Sequence, residues 1–499
     1  MMIKVYLNDF KYRYDVFQII NLYFTLSDIE FVNAKEGKAG NITDVNNAGN
    51  DANGYSTSAD YYITITDNKI LIKDSSEEYQ YVFKRDIKLS DEIKLGIFLF
   101  LKNKTKMNFP WGIMLGIRPS KIAVKLLKEG SSEVEIIDYY KKHYEASEEK
   151  ARLCIDIARL ENSYINTDSK NISIYIGMPF CPTRCSYCSF ASNPITSCSK
   201  LVEPYLEALT KELLNTSRYL EENKLKVQCV YFGGGTPTSI NEIQFENLMK
   251  TIYNEIIVKY KPQEFTVECG RPDSITENKL ITMKNYAVNR ISINPQSMND
   301  STLKRIGRAH TAKDVVDKFN LAREIGFDNI NMDIIVGLEN EGLEEIDNTC
   351  SEILKLKPDS ITVHGLAIKR ASRIHEKLLN GQEVKNLCQD EIIKMYNKTA
   401  ELAKLLNMKP YYMYRQKNMI GNMENIGYAA AHKEGLYNIQ MIEEKQTIIA
   451  HGADAASKAV FLEEDRLERH FNVKDVKEYI SRIDEMIDKK NKLLNSLYK

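Results

Sequence analysis

Two hydrophobic periods divide the chain. In the first 165 residues, MIKVYLN at 2–8 and DYYITITDNKILIKD at 60–74 alternate apolar and polar positions. That two-residue period predicts strands with one buried face. Leu89–Leu101 and Val134–Leu160 carry apolar residues at helical spacing and predict amphipathic helices. Between the strand patterns lies EGKAGNITDVNNAGNDANGYSTSAD, rich in Gly, Asn, Asp and Ser, with no apolar period. A mobile insertion is expected there, near 35–59. The stretch PWGIMLGIRPSK holds the only tryptophan, Trp111. It reads as a tight turn against the core, with a functional contact through Arg118 as the alternative.

From about 170 short β-rich runs alternate with helical ones. Strands are predicted at Ile172–Ile176, Val227–Phe232, Glu264–Glu268, Asn289–Asn294, Asn329–Val336 and Ser360–Leu366. Strand–helix alternation implies a parallel sheet with right-handed crossovers. About six such units suit an open or partial (β/α) barrel better than a closed one of eight. Beyond about 380 the pattern is mainly helical, with one irregular stretch, YYMYRQKNMIGNMENIGYAA. The expected division is an N-terminal α+β region at 1–165, a partial α/β barrel at 166–380 and a mainly helical region at 381–499.

Composition narrows the function. The 499 residues carry 68 Lys+Arg against 69 Asp+Glu, a net charge of -1. A mainly electrostatic nucleic-acid binder would show a basic excess. No apolar run approaches the ~20 residues of a membrane span. The opening MMIKVYLNDFKYRY is broken by Lys, Asp and Arg, so no secretory signal is expected in it. A cytoplasmic protein is expected, in which nine cysteines are thiols or metal ligands rather than disulfides.

Three of them stand out. YIGMPFCPTRCSYCSF places Cys181, Cys185 and Cys188 as C-x3-C-x2-C just after the first barrel strand. Three thiolates in one tight loop can converge on one metal centre. Structural zinc and a closed iron–sulfur cluster both take four protein ligands, so three leave an open position, as catalytic centres do. Cys198, ten residues on, could complete a zinc site instead, and three unrelated structural thiols are the plainest alternative.

The second strand ends in YFGGGTPT, where glycines let a ligand approach the backbone. The later strands end in polar residues: Glu268, Gln296, Asp333 and His364, with Arg308 twelve residues after Gln296. Each alone reads equally well as a strand-end cap. Together they line one mouth of the barrel, the end that carries the site in such folds.

These motifs resemble the radical S-adenosylmethionine enzymes. YIGMPFCPTRCSYCSF, YFGGGTPT, VECGRPD, NPQSMNDSTLKRIGRAHT and NMDIIVGL are more narrowly similar to the oxygen-independent coproporphyrinogen III oxidases (coproporphyrinogen dehydrogenases). The N-terminal region, PWGIMLGIRP and YRQKNMIGNMENIGY resemble the long branch of that family found in anaerobic, often Gram-positive, bacteria. The resemblance implies a [4Fe–4S] cluster on Cys181, Cys185 and Cys188, and S-adenosylmethionine on Gly234, Gly235, Thr236, Glu268, Gln296, Arg308 and Asp333. It places Tyr175 beside the sulfonium as a catalytic residue. It departs at Gly177, where the better-studied branch has His, and at Asp454, where the family has a Gly-rich turn.

The implied reaction is oxidative decarboxylation of two propionates of coproporphyrinogen III, giving protoporphyrinogen IX in anaerobic haem biosynthesis. A haem-carrying relative, or a radical enzyme acting on another substrate, is the alternative. Four substrate carboxylates need fixed cations, and Arg370, Arg373, Arg415 and Lys417 are the candidates, although each alone reads more readily as a solvated surface charge. The expected partners are a low-potential flavodoxin- or ferredoxin-like electron donor and no nucleic acid. The chain is expected to act as a monomer.

Overall fold

The computed structural model describes residues 2–24, 28–33, 59–166, 168–188, 192–367, 387–416 and 419–499. The expected insertion lies outside them except for its last residue, Ala59. Two compact units form: Met1–Ile155 with Gly421–Met423, and Asp156–Ile420 with Glu424–Lys499.

The first unit carries the predicted alternation. Strands β1 (Met2–Leu7), β2 (Asp28–Asn33), β3 (Tyr61–Ile65), β4 (Lys69–Lys73) and β5 (Glu78–Val82) form a sheet in the order β2-β1-β3-β4-β5. Ile3, Val5, Leu7, Ile63, Ile70 and Ile72 point into one core with Val16, Ile20 and Phe98 from the helices Arg13–Tyr23 and Leu89–Thr105. The helix expected over Val134–Leu160 is instead two, Glu133–Tyr144 and Glu148–Tyr164. Glu145 takes a left-handed φ of 54° and stops the first. Trp111 is fully buried, in a turn closed by hydrogen bonds from Gly112 N to Phe109 O and from Met114 N to Trp111 O.

The second unit is built on one sheet. Its strands are β6 (Asn171–Met178), β9 (Lys226–Gly234), β10 (Glu264–Glu268), β11 (Arg290–Ser292), β12 (Ile330–Val336) and β13 (Ser360–Gly365), parallel and in chain order across the sheet. Between β6 and β9 in the chain lie two short strands that pair with each other, β7 (Phe180–Cys181) and β8 (Asn193–Pro194). All six predicted strands are present, Glu264–Glu268 with the predicted bounds and the others shifted by one or two residues at one or both ends.

The barrel does not close. Past β13 the sheet continues antiparallel through β15 (Asn425–Ala429) to β14 (Lys409–Tyr414). Beyond β6 it adds β16 (Ile448–His451), parallel to β6, then the hairpin β17 (Ala456–Phe461) and β18 (Arg466–Phe471). The C-terminal region, expected to be mainly helical, thus holds five strands beside its helices Gln389–Leu405, Leu436–Glu443, Val476–Ser481 and Ile483–Tyr498.

The two faces of the sheet differ in chemistry. On β12, Ile330, Met332 and Ile334 are fully buried, while Asn331, Asp333 and Ile335 face the barrel interior. On β9, Phe232 stacks on Phe245 of the helix Glu242–Ile252, while Tyr231 faces inward. The helices therefore cover an apolar outer face, and the interior, which apolar side chains fill in a closed barrel, is left polar and open.

Candidate active site

A cavity of about 690 Å³ occupies that interior. Tyr175, Gly177 and Met178 at the end of β6 line it, followed by Cys181, Cys185 and Cys188. The cysteine loop is fixed from outside. Thr183 Oγ1 donates to Gly307 O (2.7 Å) and Ser186 N donates to Ile306 O (3.0 Å). Thr236 Oγ1 lies 3.5 Å from Cys181 Sγ, and Arg271 Nη1 lies 3.6 Å from Cys185 Sγ. Burial pushes the Cys181 thiol up to about 11, so a metal must displace its proton to bind. Among the described residues no three His, Cys, Asp or Glu side chains converge on a single-ion position. Cys198 sits at the start of the helix Ser199–Glu222 and does not line the cavity.

The glycine turn closes directly over this loop. Gly234 has a φ of 105°, a conformation that favours glycine. Gly235 N donates to Met178 O (2.6 Å). A Cβ at Gly235 would stand 2.6 Å from Phe180 O and 2.9 Å from Cys181 Sγ. Only a bare backbone fits between the cysteine loop and the cavity here.

The remaining wall is titratable. Tyr231 OH donates to Glu268 Oε1. Burial, reinforced by the charge of Asp333, pushes Glu268 up to about 7, although the Tyr231 hydrogen bond works the other way. Asp333 accepts from Asn331 Nδ2 (2.8 Å) and lies 3.6 Å from His364 Nε2. Gln296 adopts φ 67°, and its Oε1 is buried without a hydrogen-bond partner. Arg308 spans Asn294 O (2.5 Å) and Tyr187 OH (3.1 Å), leaving its buried Nε without one. Buried polar atoms left unsatisfied are costly. These two belong to residues that line the cavity, where a polar ligand can meet them.

Tyr175 stacks on Tyr231 (6.3 Å between ring centres), and Tyr231 on Tyr437 (4.5 Å). A Cβ at Gly177 would come within 3.3 Å of Tyr175 Cε1 and 3.2 Å of His451 O. The Tyr175 ring thus leans over the ground that a side chain at 177 would take.

Tyr175, the three motif cysteines, Gly234, Gly235, Thr236, Glu268, Gln296, Arg308 and Asp333 all line this one cavity. The substrate candidates fare differently. Arg370, Arg373 and Lys417 lie outside the described residues. Arg415 is buried, and the cavity is lined by Tyr412, Tyr414 and Gln416 but not by Arg415. The two-residue period that brings those three inward turns Arg415 to the other face. Sequence reasoning missed Tyr231, Arg271, Asn331 and Tyr437, which also line it. Period-two counting back from Gly233 or Asp333 finds Tyr231 and Asn331. No local signal marks Tyr437.

The chain matches the Radical SAM superfamily over residues 175–353. It is 40% identical over 407 residues to the oxygen-independent coproporphyrinogen-III oxidase-like protein HemZ of Bacillus subtilis, covering 80% of this chain and 79% of that one. It is 36% identical over 210 residues to the heme chaperone HemW of the same organism, covering 42% of this chain and 54% of that one. Among solved structures, coproporphyrinogen III oxidase (HemN) of Escherichia coli matches with a TM-score of 0.50 at 20% identity, over 66% of this chain and 73% of that one. That likeness is one of fold.

Proposed function

The chain belongs to the radical SAM superfamily, in the family of oxygen-independent coproporphyrinogen-III oxidase-like proteins, and from that premise we propose that it decarboxylates coproporphyrinogen III oxidatively to protoporphyrinogen IX. The superfamily works with a [4Fe–4S] cluster and S-adenosylmethionine, and the residues present fit both. Three thiols line a cavity beside a backbone turn with no room for a side chain, and unsatisfied polar atoms belong to residues of the same wall. Cys181, Cys185 and Cys188 would hold the cluster, and Gly234, Gly235, Thr236, Glu268, Gln296, Arg308 and Asp333 the cofactor. When bound, the pair supplies one-electron cleavage of a sulfonium C–S bond and, through it, hydrogen-atom abstraction from an unactivated C–H group.

The protein's own part is orientation and exclusion of water. The Tyr175–Tyr231–Tyr437 stack gives the cavity a flat aromatic side. Tyr231 holds the Glu268 carboxyl in place from that stack. Glu268, which stays protonated to about pH 7 for lack of solvent, can donate a hydrogen bond as well as accept one. One electron for each cleavage would come from a low-potential flavodoxin- or ferredoxin-like donor, and the electron released as carbon dioxide leaves the substrate would pass to a one-electron acceptor. No helix among the described residues is long and apolar enough to cross a membrane.

The observation that carries this reading is convergence. Residues from β6, β9, β10, β12 and the loops after β6 and β11 line one cavity, and this supports a shared cofactor site. A haem-carrying role is the second reading, favoured by the 36% identity to a heme chaperone. That likeness spans 42% of the chain, against 80% for the oxidase-like relative. Anaerobic incubation of the reconstituted protein with coproporphyrinogen III, S-adenosylmethionine and dithionite tests the two. Vinyl-bearing porphyrinogen supports decarboxylation. A stable one-to-one haem complex with no vinyl product supports the carrier.

A further inference from the structure

Arg271 follows β10 in VECGRPD. Its guanidinium is buried, with 4% of the side chain exposed, and every nitrogen is engaged. Nε and Nη2 grip Asp273 in a two-pronged pair, at 2.9 and 2.8 Å. Nη1 donates to Thr183 Oγ1 (3.0 Å) on the cysteine loop and reaches Cys185 Sγ at 3.6 Å. Asp273 also faces His310 Nδ1 at 3.5 Å. Burial opposes the Asp273 charge, but His310 and Arg271 outweigh it and hold the carboxyl well below its usual range. The planar fork is therefore locked on one side by a carboxylate, and its other nitrogen is shared between the Thr183 hydroxyl and the Cys185 sulfur. Arg308 brings a second guanidinium toward the same cysteine.

We infer that Arg271, oriented by Asp273, is a positioning residue that sets the reduction potential of the metal centre through Cys185; this rests on Cys185 being a cluster ligand. A cluster takes on negative charge when it is reduced. A fixed positive charge and an N–H donor on a ligand sulfur stabilise that state more than the oxidised one, which raises the potential. Met at 271 removes both. Lys keeps the charge but loses the fork, so it cannot hold Asp273 and the sulfur together.

The test is an EPR-monitored redox titration of anaerobically reconstituted wild-type, Arg271→Met and Arg271→Lys proteins, without S-adenosylmethionine. Iron and sulfide are assayed first, because a wild type without a cluster refutes the ligand reading rather than this one. The expected result is a more negative midpoint for Arg271→Met and a smaller shift in the same direction for Arg271→Lys. An unchanged midpoint in both variants overturns the inference. So does loss of the cluster from both, since Arg271 would then hold the loop together rather than tune it.

Discussion

Lys490 Nζ and Glu212 Oε1 lie 2.8 Å apart with neither side chain exposed to solvent. Glu212 also accepts from Asn472 Nδ2 (2.8 Å), Tyr479 OH (2.5 Å) and Gly452 N (2.9 Å). The last of these anchors the turn whose residues Ala453, Asp454 and Ala455 line the cavity. A buried ion pair that does not itself line the cavity thus fixes one edge of the site.

Lys490→Met should be strongly destabilising, because it strands a buried carboxylate. Removing one partner of such a pair costs ~3–5 kcal/mol. The double variant Glu212→Gln/Lys490→Met should recover much of that loss. Urea unfolding midpoints of the three proteins check this, and an unchanged midpoint for Lys490→Met would contradict the pairing.

The same carboxylate predicts a pH dependence. Burial works against its charge, but Lys490 and then His451 outweigh that and hold Glu212 down to about 2. A depressed acid adds stability that is fully present above its unfolded value, ~4.3, and is lost as pH falls through about 2. Wild type should therefore lose stability more steeply than Glu212→Gln below about pH 4. Parallel acid-unfolding curves would refute this.

Glu268 carries the opposite sign. Its carboxyl is pushed up to about 7 by burial, so the folded state holds a proton that the unfolded chain releases. Metal-free wild type should lose stability from about pH 4.3 upward and level off above about 7. Glu268→Gln should abolish that slope and be the more stable protein at pH 8. Thermal unfolding from pH 5 to 8 reads both.

Gly235→Ala probes the close approach of the glycine turn to the cysteine loop. The new methyl would press on Phe180 O, a backbone atom that cannot step aside, and on Cys181 Sγ. Such overpacking costs ~1–3 kcal/mol. Iron and sulfide content should fall, and S-adenosylmethionine affinity should drop by about five- to a hundredfold if that strain acts on binding. Equilibrium dialysis against the labelled cofactor measures it. Wild-type affinity would mean that the turn lies away from the cofactor.

The barrel was legible because its outer face obeys a strict apolar period: Ile172, Ile174 and Ile176 are all fully buried. The cofactor wall was legible for a related reason. Polar residues stand at or near the carboxyl ends of the later strands, Glu268 closing β10 and His364 one short of the end of β13, although Asp333 lies within β12 and Gln296 beyond β11. β16 was not legible, since IIAH is four residues long and gives no alternation to count. Arg415 misled because composition near the mouth does not say which way a side chain turns, while the register of β14 does. Arg271 was hidden in plain view within VECGRPD, because its role depends on Thr183 and Cys185, more than 80 residues away in the chain.

The ligand assignment makes its own prediction. Cys181→Ser, Cys185→Ser and Cys188→Ser should each lose the cluster, because iron is held there by thiolate. Cys198→Ser should keep it, since Cys198 stands off the cavity wall. Iron and sulfide analysis of the four variants decides, and a cluster lost only with Cys198 would undo the assignment.

The central claim is tested most directly by coproporphyrinogen III labelled in its propionate carboxyl carbons. Labelled carbon dioxide and 5′-deoxyadenosine are counted together under anaerobic, reducing conditions. The account predicts labelled carbon dioxide rising in step with 5′-deoxyadenosine, and neither in Cys188→Ser. Sustained 5′-deoxyadenosine from the wild type with no labelled carbon dioxide would contradict it, leaving a radical enzyme whose substrate is not this porphyrinogen.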